Sequence, residues 1–433
     1  MMSKVGGFIW SVAVLSCLSW AGCGSDQPLA AQIGQQFQLA DSPLALTRNA
    51  VLVRAGDGFV LAGLDGTTVR WGPLSSSGVL GAEWAFDLPE PPATTSGGQS
   101  LGPLFAVTSN AVPGDQLVVV VGVLQTGTTD HYEWHAWIHD PASPVPLTMQ
   151  TVGVQVAAAN SGQVRLVAGS SPDGTRALVG WGVEGQLAPI RYQMLGAGGS
   201  LVGGLGQIPD DPDPNSIALW NCLDTTQNAP NLAVTLVEPP NRGHPLQFAW
   251  RRFEIAADGS ISGRAQIGLE ALDVSDGRIV STPTSGGYLL AWQNNTTKGG
   301  TYVASLIPPP PDAGPDFLGV SSHQVMASAL YGGYGSMPKL AWIAPAGYEF
   351  TIGLARSRGP EVVRFDPFGD PRGRTLYLPS VAGNTGPASA WVDTGAAYVT
   401  YLDMPGSSTR SAVVVPTGSH RLLITVLSPA ELR

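Results

Sequence analysis

The densest run of chemically capable side chains is HYEWHAWIHD, His131 to Asp140. His131, His135 and His139 recur every fourth residue. On a helix that spacing puts three imidazoles on one face, where they could hold a metal ion. Tyr132, Trp134, Ala136 and Ile138 alternate with them, however, and alternation is the period of a strand. On a strand the three histidines still share a face, but successive ones stand roughly 13 Å apart at about 3.3 Å per residue. One metal ion cannot reach two of them, and Glu133 with His135 makes at most half a site. The segment is read as a strand with a polar outer face and an apolar inner one, and no metal ligand is assigned.

Asp57, Asp115 and Asp173 hold equivalent places before three successive apolar runs. A ring of carboxylates could bind a cation, but Asp beside Gly is ordinary turn chemistry, and the three are read as turn residues. H-E-x-x-H, Walker and C-x-x-C motifs are missing, so neither a catalytic residue nor a cofactor is assigned. GAGGSLVGGLG, near Gly196, is read as a flexible inter-strand loop. The acidic IPDDPDPNS, with Asp210, Asp211 and Asp213, lacks the glycine and ligand spacing of an EF-hand calcium loop and is read as a solvent loop. IPPPPDAGPD, Ile307 to Asp316, is a stiff excursion suited to a linker or a partner contact.

The elements that must carry these residues are strands. Only 12% of the 433 residues are charged against 43% hydrophobic, and Gly 55 with Pro 36 imply many turns. Short Val, Leu, Ala and Trp runs stand between Gly, Pro, Asn and Asp clusters, which is an all-β pattern. Net charge is −10 without a run of Lys and Arg, which disfavours binding to a nucleic-acid backbone.

A hairpin recurs. GDGFVLAGLDGTTVRWGPL starts at Gly56, and further copies start at Gly114, Pro172, Asn228, Ser285, Ser336 and Asn384. The seven starts step by about 48 to 58 residues, within the period of solenoids and propellers. Ala291-Trp292, Ala341-Trp342 and Ala390-Trp391 end the first strand of three copies, and Trp181 holds the matching place in a fourth. Short apolar runs flank the copies, among them ALTRNAVLV, SIALW and QVMASAL before them and VVRFDPF after one. Each unit therefore reads as four strands, A to D, with the recurrent hairpin as B and C. One such sheet cannot bury either apolar face alone, and radial packing buries both. The tryptophans are expected between adjacent sheets.

On these residues the chain resembles the β-propeller class, and SSPDGTRALVGW, Ser170 to Trp181, resembles a single blade motif of the TolB type. The expected fold is an all-β, seven-bladed propeller, with six or eight blades or tandem β-sandwiches as alternatives. The resemblance implies a ligand mouth built by B–C and D–A loops. Its candidates are Asp65, Asp130, Glu184, His244, Asn294 and Asp393, a polar and net acidic set suited to a cation or polyol.

The N-terminus points to export. Lys4 precedes an apolar stretch, Val5 to Leu18, then Ala21 and Gly22 before Cys23. That is the layout of a secretory signal. It resembles a bacterial lipobox ending at Cys23, with Trp20 where that pattern has an aliphatic residue; VLSC, ending at Cys17, is a competing site. Residues 1–22 are read as signal peptide, 23–40 as a polar tether from which Gln36 to Leu39 could supply a closing strand, and 41–433 as the repeat domain. With Cys23 acylated, Cys222 keeps no partner for an internal disulfide. The expectation is a lipid-anchored envelope protein addressed to the outer membrane, with free secretion as the alternative, held to a membrane by its N-terminal lipid. It would be non-enzymatic and present loops to a protein or glycan. The alternative is a carbohydrate-active hydrolase or lyase acting in the mouth.

Overall fold

The structure is a computed structural model. It describes residues 37–46, 48–55, 58–93, 104–110, 116–156, 163–171, 175–184, 190–208, 222–226, 232–238, 247–270, 279–284, 287–294, 300–307, 319–320, 325–326, 339–343, 348–355, 359–365, 376–377, 398–402, 410–417 and 421–427. Among these residues there are 29 strands and two short 3-10 turns, without an α-helix. No helix of the described residues is long and apolar enough to cross a membrane.

Strand β1 is Phe37–Asp41. Blade 1 follows as β2 (Arg48–Ala55), β3 (Gly58–Asp65), β4 (Thr68–Leu74) and β5 (Trp84–Asp87). Blade 2 is β6 (Phe105–Asn110), β7 (Gln116–Gln125), β8 (His131–His139) and β9 (Pro146–Val156). Blade 3 is β10 (Gln163–Ser170), β11 (Ala177–Glu184), β12 (Arg191–Leu195) and β13 (Leu201–Gln207). Blade 4 is β14 (Cys222–Thr226), β15 (Leu232–Glu238), β16 (Gln247–Ile255) and β17 (Ile261–Glu270). Blade 5 is β18 (Ile279–Thr284), β19 (Gly287–Asn294) and β20 (Gly300–Ile307), edged by two short strands, β21 (Gly319–Val320) and β22 (Val325–Met326), which both pair β20. Blade 6 is β23 (Lys339–Ile343), β24 (Tyr348–Ala355), β25 (Gly359–Phe365) and β26 (Leu376–Tyr377). Blade 7 is β27 (Tyr398–Leu402), β28 (Arg410–Thr417) and β29 (Arg421–Leu427), completed by β1, which pairs β29 antiparallel.

Every pairing is antiparallel and, within a blade, runs in chain order until β1 joins β29. The first strands then touch in a closed cycle: β2 with β6, β6 with β10, β10 with β14, β14 with β18, β18 with β23, β23 with β27, and β27 with β2. Seven meanders whose first strands ring one axis make a β-propeller. The closure is a shared sheet rather than a loose contact, because both chain ends supply strands to blade 7.

The sequence of β7 shows why the sheets must pack radially. Its run QLVVVVGVLQ is apolar at successive positions, so both faces need cover. Val118 and Val120 enter the core shared with blade 3, while Val119 and Val121 enter the core shared with blade 1. Burying one such valine contributes about 1.5–3 kcal/mol. Between blades 7 and 1, Leu422 and Ile424 pack against Leu52, Phe59, Leu61 and Leu74. Between blades 3 and 4, Phe253 and Ile255 meet Leu178, Tyr192 and Met194.

Trp181 lies between sheets as expected, buried against Trp134 of the neighbouring blade at a centroid separation of 5.8 Å. Glycine makes both positions possible. A Cβ at Gly153 would stand 2.4 Å from the Trp181 ring, and one at Gly122 would stand 2.3 Å from the Trp134 ring.

Five strand assignments differ from the sequence pattern. GAGGSLVGGLG is not a loop throughout: its Leu201 to Gly206 lie on β13, the outer strand of blade 3, paired with β12. YVTYL, expected as the third strand of the seventh unit, is β27, the first strand of blade 7. The sixth copy of the hairpin is β23 with β24, the first and second strands of blade 6 rather than the second and third. QVMASAL contributes Val325–Met326 to the outer edge of blade 5, not to the start of blade 6. The VVRF of VVRFDPF lies on β25, the third strand, and the rest falls outside the described residues. Ala390-Trp391 and SIALW fall outside the described residues.

Candidate functional site

In a ring of like-wound meanders every B–C turn opens on one face, together with the connections that lead from one blade to the next. The hairpin between β3 and β4 shows how such a turn is built. Its strands pair up to Asp65 opposite Thr68, and Gly66 takes the bend in the left-handed region at φ 63°. The Asp65 carboxylate accepts from Arg70 Nε at 3.2 Å, and the Thr68 hydroxyl donates to Asp87 at 2.6 Å. In blade 2, the carboxylate of Asp130 accepts from the backbone N–H of Gly127 at 3.3 Å. Both carboxylates are exposed, and each spends its hydrogen bond on its own loop.

Glu184 ends β11 opposite Gln163, and Asn294 ends β19 opposite Gly300, so both backbones reach the B–C end of their blades. His244 lies outside the described residues, in the B–C connection of blade 4; Asp393 also lies outside them, in the connection from β26 to β27. Asp57, Asp115 and Asp173, the acidic stretch 210–213, and Cys23 are likewise outside the described residues.

The sequence carries one nucleophile pattern not assigned above. Gly98-Gln99-Ser100-Leu101-Gly102 matches G-x-S-x-G, the pattern that presents a nucleophilic serine on a sharp strand-to-helix turn. It falls outside the described residues, in the connection between blades 1 and 2. The base of that connection is described: the Leu104 N–H donates to the Ala93 carbonyl at 2.9 Å, and the Ala93 N–H donates to the Gly122 carbonyl at 2.7 Å.

The histidine row is on a strand, with Tyr132, Trp134, Ala136 and Ile138 buried on one face of β8 as the alternation requires. The opposite face is not an outer face. Blade 1 covers part of it, and Trp137 packs there beside Phe86 at 5.3 Å. Towards the rim, Glu133 sits between two imidazoles: His131 Nε2 is 3.3 Å from one carboxylate oxygen and His135 Nε2 is 3.1 Å from the other. The Thr129 carbonyl beside His131 Nδ1, followed by Glu133, raises the His131 pKa above the usual histidine value. The hydrogen bond from His135 is the largest influence lowering the Glu133 pKa. Among the described residues no group of three or more His, Cys, Asp and Glu side chains is placed to hold a metal ion.

His139 departs furthest from its expected place. It is 0% exposed, wedged against Trp71 at 4.9 Å and Phe86 at 4.8 Å, both from blade 1. A register shift between Ile138 and His139 accompanies the change. Neither ring nitrogen has a hydrogen-bond partner. Burial pushes its pKa down to about 4. Beside it the Trp71 indole N–H donates to the Pro141 carbonyl at 2.8 Å, a direct tie from blade 1 to the turn after β8.

No family model matches the chain, and no curated protein sequence matches it. Solved structures do. The β-propeller domain of Cps50 (Swd1) from Myceliophteria thermophila is similar at 11% identity and a TM-score of 0.45, covering 88% of this chain and 97% of that one. The periplasmic gluconolactonase PpgL of Pseudomonas aeruginosa is similar at 13% identity and a TM-score of 0.41, covering 88% and 95%. The β-propeller domain of the trilobed protease from Pyrococcus furiosus, described as having an open velcro topology, is similar at 8% identity and a TM-score of 0.41, covering 88% and 96%. The propeller fold of this chain rests on the strand pairing and ring contacts above.

Proposed function

We propose that this chain is an exported, lipid-anchored propeller that binds a protein or glycan partner through its loops and does no chemistry on it. The observation that carries the reading is the use made of Asp65 and Asp130. A general acid or base must keep its carboxyl free for the reacting atom. Asp65 is held by Arg70 and Asp130 by the Gly127 amide, so both shape the loops that carry them. Loops held by their own side chains lose less freedom on binding, which favours display of a fixed surface. The lipid anchor at Cys23 and the outer-membrane address are part of the same proposal and rest on the N-terminal sequence.

Metabolic labelling with a clickable fatty acid, followed by a glycan array and a fluorophosphonate probe, tests the three parts. The full-length chain should take up the fatty acid, and Cys23→Ser should not. Glycan or protein binding without cleavage supports the display reading. Covalent labelling of Ser100 by the probe, or release of shortened glycans, would overturn it in favour of a hydrolase.

A further inference from the structure

The buried imidazole of His139 is the most unusual group among the described residues, and the binding surface makes no use of it. A neutral imidazole carries one N–H and one lone pair. Both are out of water here, and neither is hydrogen-bonded. Its neighbours are two aromatic rings from the adjacent blade, so it sits in a seam between blades. Adding a proton would place a full charge in that apolar seam.

We propose that His139 is an acid-sensitive latch on the seam between blades 1 and 2, closed while the ring is neutral and loosened when it takes a proton.

The charged groups on the surrounding elements have other partners. On β4 and its turn, Arg70 is paired with Asp65. On β5, Asp87 accepts from Thr68. On β7 and β9 the residues opposite His139 are Leu117 and Pro146, neither titratable. After β8, the Asp140 carboxylate accepts from the Ala142 N–H. Earlier on β8, His135 is engaged by Glu133. Burial is the influence that lowers the His139 pKa, without a charged neighbour acting on it. The faces of Trp71 and Phe86 would attract an imidazolium and recover part of the cost. The net direction remains downward, since desolvation dominates.

The sign follows from linkage. An open seam returns His139 to an ordinary histidine value near 6.5, whereas the closed seam holds it at about 4. Above about pH 6.5 both states are neutral and the seam keeps its full stability. Between those values the open state binds a proton that the closed state refuses, so stability falls as pH falls, and the loss levels off below about pH 4. The equilibrium for opening should rise by up to about tenfold per pH unit, and by about fortyfold from pH 6.5 to 4.5.

Hydrogen exchange of the whole chain, corrected for the intrinsic pH dependence of exchange, reads this segment by segment. In the wild type, opening of β4, β5 and β8 should increase by that factor as pH falls, while β11 and β12 stay level. In His139→Phe the increase in β4, β5 and β8 should vanish. The same increase in His139→Phe, or an equal one in β11 and β12 of the wild type, would overturn the proposal. Should His139→Phe fail to fold, His139→Gln tests the same loss of titration. NMR titration of the wild-type histidines decides independently: a His139 ring signal that titrates at or above pH 6.5 would refute the latch.

Discussion

The two seams of blade 2 are made from one sheet and differ in what they hold. Its seam with blade 3 closes on Trp134 and Trp181, whose rings meet tilted at 41°, each fitted over a glycine of β7 or β9. Its seam with blade 1 closes on Trp71, His139 and Phe86, and is tied by one indole hydrogen bond to Pro141. No histidine is among the buried side chains of the first seam that the structure describes. The second contains a histidine that burial holds neutral. A propeller needs only that each sheet face be covered, and the chemistry of the cover decides which seam responds to conditions.

The comparison can be broken most severely at the tryptophan pair. Trp134→Ala removes a fully buried ring from the seam between blades 2 and 3 and should cost about 3–5 kcal/mol in denaturant unfolding. A loss below about 1 kcal/mol would show that the ring does not hold the seam. Gly122→Ala leaves the ring but drives a methyl into it, and should cost about 1–3 kcal/mol. Adding Trp134→Phe to that variant should recover part of the loss, because the Cβ then meets a smaller ring.

The seam with blade 1 should give smaller effects at neutral pH. Trp71→Phe keeps most of the packing and deletes the hydrogen bond to the Pro141 carbonyl, for an expected loss of about 0.5–1.5 kcal/mol by thermal unfolding. Smallest is Asp65→Asn. It removes an exposed ion pair with Arg70 and should change stability by less than about 1 kcal/mol, an effect that weakens further in high salt. A larger loss would mean that the turn carries more than its own shape.

Much of the fold could be read from the sequence, for a physical reason. Alternation, Gly-Asp turns and paired apolar runs place the hairpins of the first five blades on their observed second and third strands. The phase was lost at blade 6. KLAWI resembles GYLLAW of β19, yet one is a first strand and the other a second. Strands of a meander buried on both faces look alike, so a motif says that a strand exists without saying how far it lies from the axis. The broken outer edge of blade 5, where β21 and β22 share β20, is what shifts the count.

His139 was misplaced for a related reason. Alternation correctly separates its face from that of Trp134, but it cannot say that another sheet covers that face. Of the proposed mouth, sequence identified Asp65 and Asp130 as turn-end carboxylates and could not show that each is occupied by its own loop. The bridge from Glu133 to two histidines was half visible as a spacing, and its geometry needed the strand.

The account depends on a ring of seven sheets that both chain ends close together. In that ring Leu39 of β1 stands opposite Leu423 of β29. Cysteines at facing positions of adjacent antiparallel strands lie within reach of a disulfide. The measurement is oxidation of Leu39→Cys with Leu423→Cys, in a chain whose native cysteines are serine, followed by mass spectrometry and thermal unfolding. Near-complete cross-linking with unfolding at or above the parent temperature is the predicted result. Two thiols that stay free and reactive in the folded protein would show that β1 does not complete blade 7, and the closed ring would have to be abandoned.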